Sequence, residues 1–252
     1  MRASEFLAQA DRLPVGDLHA LTGGGGLVVV APHPDDESLG CGGLIAEAAA
    51  RGLPMRLVVL SDGVGSHPNS RRYPPERLRC LREAETLAAV ARLGLAPGHV
   101  RFLRLPDRFV PSEGPAAEAA AESIAEAARD CRAGALFVTW AHDPHCDHQA
   151  AARLALRALR ARRILPGLRA YAYPVWGWAL APDIEVGPPP RGLRLDIAAH
   201  REAKQAAIAE HRSQVTDLID DDPEGFRLEP AMLARFAGRH EIFLAIPPET
   251  EP

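Results

Sequence analysis

Leu27-Val-Val-Val-Ala-Pro-His-Pro-Asp-Asp-Glu-Ser38 runs from an apolar, β-branched stretch directly into one imidazole and three carboxylates. A short continuous apolar run of this kind is typical of a strand buried on both faces, as in a parallel sheet. A helix-forming stretch follows at about 38–51, which puts His33, Asp35, Asp36 and Glu37 on a loop at the carboxyl end of that strand. The alternation continues along the chain. Apolar runs at Met55–Ser61, Val100–Leu105, Ala135–Trp140 and Leu168–Pro174 are separated by helix-like segments at about Ser38–Arg51, Pro75–Leu93, Pro115–Arg132 and His148–Arg163. The helical segments are rich in Ala, Leu, Arg and Glu, all favourable helix formers. Strands covered on both sides by helices predict an α/β fold, a Rossmann-like three-layer α/β/α sandwich with a mostly parallel sheet and right-handed crossovers. In such sheets ligands bind where loops leave the carboxyl ends of the strands.

Residues 1–26 read as an N-terminal lead-in and 27–252 as one domain, whose C-terminal extension covers about 181–252. The proline-rich Ala181–Arg191 reads as an exposed connection. Beyond it the pattern predicts a strand at Leu193–Ala198, a helix at Ala199–Ser213, a short helix near Glu229–Ala237 and a strand at Glu241–Ile246. The tail is too short to build a core of its own and belongs with the preceding sheet. The glycine run Gly23–Gly26 precedes the first strand, whereas a dinucleotide fingerprint would follow it. Gly40, Gly42 and Gly43 do follow the strand, but behind an acidic segment that would repel a pyrophosphate.

Composition narrows the function classes. With Lys+Arg 29 against Asp+Glu 33, the formal net charge of −4 offers no polyanion-binding surface, so no nucleic-acid partner is expected. No apolar run approaches the length of a membrane span, and the first twenty residues carry charges where a signal peptide would be apolar. Four scattered cysteines without a CxxC pair argue against a disulfide scaffold or thiolate zinc site, and suit a cytoplasmic location.

Ten histidines are unevenly spread, and several sit beside aspartates in two segments. In the first, Asp36 or Ser38 could cap the following helix. Capping does not account for so many acids beside a buried strand. Adjacent carboxylates repel, and a divalent cation offsets them, with Pro32 and Pro34 stiffening the backbone around His33. The second segment, Thr139-Trp-Ala-His-Asp-Pro-His-Cys-Asp-His-Gln149, follows the fourth apolar run and spaces His142, His145 and His148 by three. Asp147 is placed to cap a helix starting at His148. Two ligands from the first loop and one from the second would leave a fourth position open, the layout of a catalytic metal centre. Cys146 lies between these positions and is set aside as a ligand. His67, Trp176, Trp178 and His211 receive no role from the sequence.

His33-Pro-Asp-Asp-Glu37 after one strand and His145-Cys-Asp-His148 after another resemble the PIG-L/LmbE family of zinc-dependent N-acetylglucosaminyl deacetylases. The likeness covers about 27–246 and includes Ser61-Asp-Gly63, Arg82-Glu-Ala-Glu85, Leu103-Arg-Leu-Pro-Asp107, Lys204 and Ser213-Gln214; Cys146 stands where many members have proline. The resemblance implies one Zn2+ per chain held by His33, Asp36 and His148, a site type that also accepts Fe2+ or other divalent ions. It implies Asp35 as general base, His145 as oxyanion stabiliser held by Asp147, and Arg82 and Asp107 as substrate contacts. Metal-activated water would attack the amide of an N-acetylated amino-sugar conjugate, a small-molecule substrate, releasing acetate. Family members are often multimeric, which leaves a homo-oligomer open. Two other readings stay open: a metal-stabilised carbohydrate-binding protein without turnover, and a metal-dependent hydrolase of another ester or amide.

Overall fold

The computed structural model describes residues 1–160 and 166–247. Among them, eight strands form one sheet: β1 (Val15–Gly16), β2 (Gly26–Ala31), β3 (Met55–Ser61), β4 (Val100–Leu105), β5 (Ala133–Thr139), β6 (Arg169–Tyr173), β7 (Gly192–Asp196) and β8 (His240–Ile246). Nine helices accompany them: α1 (Ala3–Ala10), α2 (Leu18–Thr22), α3 (Asp36–Ala50), α4 (Pro75–Arg92), α5 (Gly114–Asp130), α6 (Cys146–Arg160), α7 (Arg201–Glu210), α8 (Arg212–Val215) and α9 (Pro230–Phe236). The strand order is β1-β7-β8-β6-β5-β2-β3-β4, and every pairing is parallel except the two made by β8. The α/β reading with a mostly parallel sheet therefore holds.

The two-sided apolar pattern of β2 explains its central place. Leu27, Val29 and Ala31 face one layer with α3, while Val28 and Val30 face the other with α5 and α6. Leu57/Val59 against Val58/Leu60 on β3, and Ala135/Phe137 against Leu136/Val138 on β5, repeat that alternation. Gly26 opens β2 where a Cβ would lie 2.2 Å from the Cys131 carbonyl oxygen and 2.5 Å from that of Pro54, so the glycine run serves strand packing.

Some boundaries differ from expectation. The lead-in is built into the molecule: Phe6 stacks on Trp140 at 4.9 Å, and β1 extends the sheet beside β7. The helix expected over 199–213 is broken at His211, whose φ of −76° and ψ of 54° separate α7 from α8. The helix expected to reach Arg163 is described only to Arg160, and its last three residues, like 248–252 of the expected domain, lie outside the described residues. From β2 the chain steps outward through β3 to β4, then returns to the other side of β2 as β5. The carboxyl ends of β2 and β5 thus flank the topological switch point, where doubly wound sheets bind ligands.

Candidate metal centre and catalytic cleft

Both histidine segments lie at this switch point. His33 follows β2 after Pro32, whose carbonyl accepts the Ser61 N–H at 2.9 Å and so ties the loop to the end of β3. His148 lies in the first turn of α6, and its carbonyl accepts the Thr139 hydroxyl at 3.2 Å, which fixes the helix start against the end of β5. The helix begins at Cys146, so Asp147 sits inside its first turn and is not the cap expected from the sequence.

Three ligand-capable atoms close a triangle: His33 Nδ1 to Asp36 Oδ2 is 3.2 Å, His33 Nδ1 to His148 Nε2 is 3.2 Å, and His148 Nε2 to Asp36 Oδ2 is 3.3 Å. Tetrahedral coordination with bonds of about 2.0–2.1 Å has ligand–ligand edges of about 3.4 Å. The triangle matches one face of such a tetrahedron, so these residues fit a divalent ion. His145 also lies within 4.8 Å of His33 and His148, but its Nδ1 accepts the Asp147 N–H at 3.2 Å. Asp36 Oδ2, at 3.2 and 3.3 Å from the two ring nitrogens, and His145 are thus both candidate third ligands.

The outward nitrogens of both rings meet carboxylates. His33 Nε2 lies 3.1 Å from Asp147 Oδ2 and 3.3 Å from Asp107 Oδ1; His148 Nδ1 lies 2.9 Å from Asp143 Oδ2. Carboxylates behind metal-binding imidazoles fix the tautomer and raise ligand basicity. Asp143 was missed by sequence reasoning as a site residue. It is fully buried and also accepts the N–H groups of Val175, Trp176 and Gly177 at 2.9, 3.0 and 2.7 Å. Its position five residues before His148 was the available signal.

Charge explains why the cluster suits a cation. Burial opposes a charge on His33, but hydrogen bonds with Asp107, Asp147 and Asp36 outweigh it and raise its pKa well above the usual value. Burial likewise opposes protonation of His148, yet the Asp36 charge and the Asp143 hydrogen bond push its pKa up to about 9. Burial works against Asp36 as a carboxylate, and the charge of His148 overcomes this and lowers its pKa. A dication in the triangle would supply the positive charge that these acids otherwise draw onto the rings.

Asp35 stands beside the triangle with φ of 157° and ψ of −27°, an unusual conformation for a non-glycine residue. Burial raises its pKa to about 6, against the opposing charge of Arg82. Arg82, expected to contact substrate, is committed to protein: Nη2 donates to Asp35 Oδ2 at 3.1 Å and to the Pro34 carbonyl at 2.9 Å, and Nη1 to the Gly63 carbonyl at 2.8 Å. Its first task is to hold Asp35, although it still lines the cleft. It does not pair with Glu85, which instead accepts the Ser213 N–H and hydroxyl at 2.8 and 2.6 Å. Asp107 lines the cleft and accepts the Gly65 N–H at 2.8 Å.

His145 and Asp147 also depart from expectation. The Asp147 carboxylate faces His33 and accepts the N–H groups of Arg108 and Val110 at 2.6 and 3.0 Å; only its backbone N–H reaches His145. Burial, with the charges of His33 and His148, lowers the His145 pKa to about 4, which favours the neutral ring. With Nδ1 accepting, the proton resides on Nε2, leaving a donor at the cleft.

The cleft has a volume of about 380 Å3; His33, Asp35, Asp36, Arg82, Asp107, Arg108 and His145 give it polar lining, and Leu39, Trp176, Phe226 and Leu228 apolar lining. Trp176 meets Phe226 edge-to-face at 5.4 Å. Trp178 lies elsewhere, beneath the Arg235 guanidinium at 3.6 Å, and His67 is buried against Ser66. Among the described residues no helix is long and apolar enough to cross a membrane.

The profile of the PIG-L family, described as GlcNAc-PI de-N-acetylase, matches residues 28–159, just over half of the chain. The chain belongs to the PIG-L family. Across 222 residues it is 28% identical to the probable N-acetyl-alpha-D-glucosaminyl L-malate deacetylase 2 of Bacillus subtilis, covering 83% of this chain and 93% of that protein. It is also 28% identical to the 1D-myo-inositol 2-acetamido-2-deoxy-alpha-D-glucopyranoside deacetylase of Nocardia farcinica, covering 77% of this chain and 82% of that one. Among solved structures, the N,N'-diacetylchitobiose deacetylase of Pyrococcus horikoshii shares the fold with a TM-score of 0.68 at 20% identity, over 91% of this chain and 85% of that chain. PIG-L family membership makes this chain an enzyme of the N-deacetylase class.

Proposed function

We propose that this enzyme removes the acetyl group from an N-acetylated amino-sugar conjugate of the N-acetylglucosaminide type, with one divalent ion, zinc by preference, held by His33, Asp36 and His148. The observation that carries the reading is the tetrahedral-edge triangle of those three residues beside a buried Asp35 held by Arg82. When bound, the ion supplies Lewis acidity toward the amide carbonyl and toward water.

The chain's own residues account for the proton traffic and the developing charge. Asp35 takes a proton from the attacking water as its oxygen bonds to the carbonyl carbon. It returns that proton to the nitrogen as the C–N bond breaks, giving acetate and a free amine. A pKa near neutrality serves both transfers. Arg82 keeps the Asp35 carboxylate oriented through its 3.1 Å contact. His145 donates its Nε2–H to the oxyanion as a neutral imidazole, with its tautomer fixed by the Asp147 N–H. Asp107 and Arg108 offer polar contacts for sugar hydroxyls, and the Trp176–Phe226 side takes apolar surface of the substrate.

Acetate release from N-acetylglucosaminides tests this reading. Asp35→Ala is expected to lower kcat by about 10²–10⁴-fold with bound metal retained; full turnover in that variant refutes the assigned base. Because Asp35 must be ionised to accept a proton, kcat/KM falls as pH drops through its pKa. The acid limb lies at or below about 6, since a neighbouring dication favours the carboxylate.

A further inference from the structure

We infer that His211 and Glu37 are a positioning pair for Asp35, through which the C-terminal extension sets the geometry of the general base. The inference rests on the reading of Asp35 as that base. The Asp35 N–H is shared between the His33 carbonyl at 3.0 Å and Glu37 Oε2 at 3.1 Å. The first contact is local to the turn. The second comes from a side chain with no solvent exposure, which therefore needs a partner for its charge. Oε1 of Glu37 finds two: the Ser38 hydroxyl at 2.8 Å and His211 Nε2 at 3.1 Å. Burial disfavours a charged His211, but its hydrogen bond with Glu37 prevails and raises its pKa.

His211 comes from a segment 174 residues away and reaches Glu37 because the helix breaks there. Its carbonyl accepts the N–H groups of Gln214 and Val215 at 2.8 and 3.1 Å, which starts α8 in a new direction. Two residues on, Ser213 grips Glu85, one turn along α4 from Arg82. The same short segment thus supports both holds on Asp35: the backbone through Glu37 and the carboxylate through Arg82. None of His211, Glu37 and Ser38 lines the cleft. His211 Nδ1 is also buried without a protein partner, a penalty that an apolar side chain would avoid if the position served packing alone. A local φ of 157° at Asp35 is the conformation this support maintains.

The experiment compares kcat, KM and bound metal for wild type, H211F, H211Q and H211N, with D35A as reference. Gln can present its Nε2–H to Glu37 Oε1, whereas Phe lacks a donor and Asn is too short. H211F and H211N are expected to lose about 10- to 100-fold in kcat, as misplacement of a reacting group by about 1 Å does. KM should stay within about 2-fold and metal content should be unchanged, with H211Q recovering most of the rate. Should H211F not fold, the contrast between H211Q and H211N carries the test. Equal kcat in all soluble variants overturns the inference, as does a parallel loss of metal or rise in KM. Full turnover by D35A would instead refute the general-base reading itself.

Discussion

Two buried charged clusters lie on either side of Leu39, which lines the cavity beside each. One is the Lys204–Glu241 pair, 2.7 Å apart and nearly inaccessible to solvent. Glu241 also accepts the N–H groups of Gly43 and Leu44 at 2.7 and 2.8 Å. Its charge is matched one for one and both its oxygens are occupied. In the other, Asp36, Asp107, Asp143 and Asp147 surround His33 and His148, so each ring is contacted by carboxylates on both nitrogens. The first cluster is complete as it stands and joins α3, α7 and β8. In the second, four carboxylates face two rings, an imbalance that the proposed cation would offset. Among buried charges, imbalance rather than burial marks the functional site.

That contrast can be broken by experiment. Asp36→Ala removes one corner of the triangle and is expected to abolish both stoichiometric metal binding and acetate release while circular dichroism shows a native fold; retention of metal would remove Asp36 from the ligand set. Asp143→Asn leaves the three proposed ligands in place but weakens the support of His148, so metal affinity should fall by about 10–100-fold in competitive chelator titrations. An unchanged affinity would reduce Asp143 to a cap for the Val175–Gly177 amides. Lys204→Met acts on the balanced cluster and strands a buried carboxylate, so urea unfolding should show about 3–5 kcal/mol of lost stability. Its kcat should match wild type; a large loss of turnover without destabilisation would dissolve the distinction between the clusters.

What could be read from the sequence follows the same division. The convergence of His33, Asp36 and His148 was legible because each stands in a dense local motif at the end of a strand, and strand ends at a switch point are the place to look. The sheet was legible because β2, β3 and β5 are apolar on both faces. Arg82 was visible as a site residue but its partner was not, since nothing local shows that its guanidinium reaches 47 residues back to Asp35. The Asp147 carboxylate was assigned to its neighbour His145, whereas the first turn of α6 aims it at His33. Likewise the break at His211 lies within an Ala-rich stretch whose pattern reads as one helix. Its cause is tertiary, in the contacts with Glu37 and Glu85. The two-residue β1 is too short to leave any periodic trace.

The placement of β8 bears on how the enzyme is made. This strand, His240–Ile246, inserts between β6 and β7 and runs against both. The sheet cannot be completed in its native order until residue 246 has emerged from the ribosome, although β2 to β6 are synthesised long before. Pairings so distant in sequence form slowly and late. The proposed ligands His33, Asp36 and His148 are therefore translated before the elements that hold α7 and His211 in place. A nascent chain that stops short of β8 would carry the motif without the assembled cleft, so catalytic competence would wait on the synthesis of that strand.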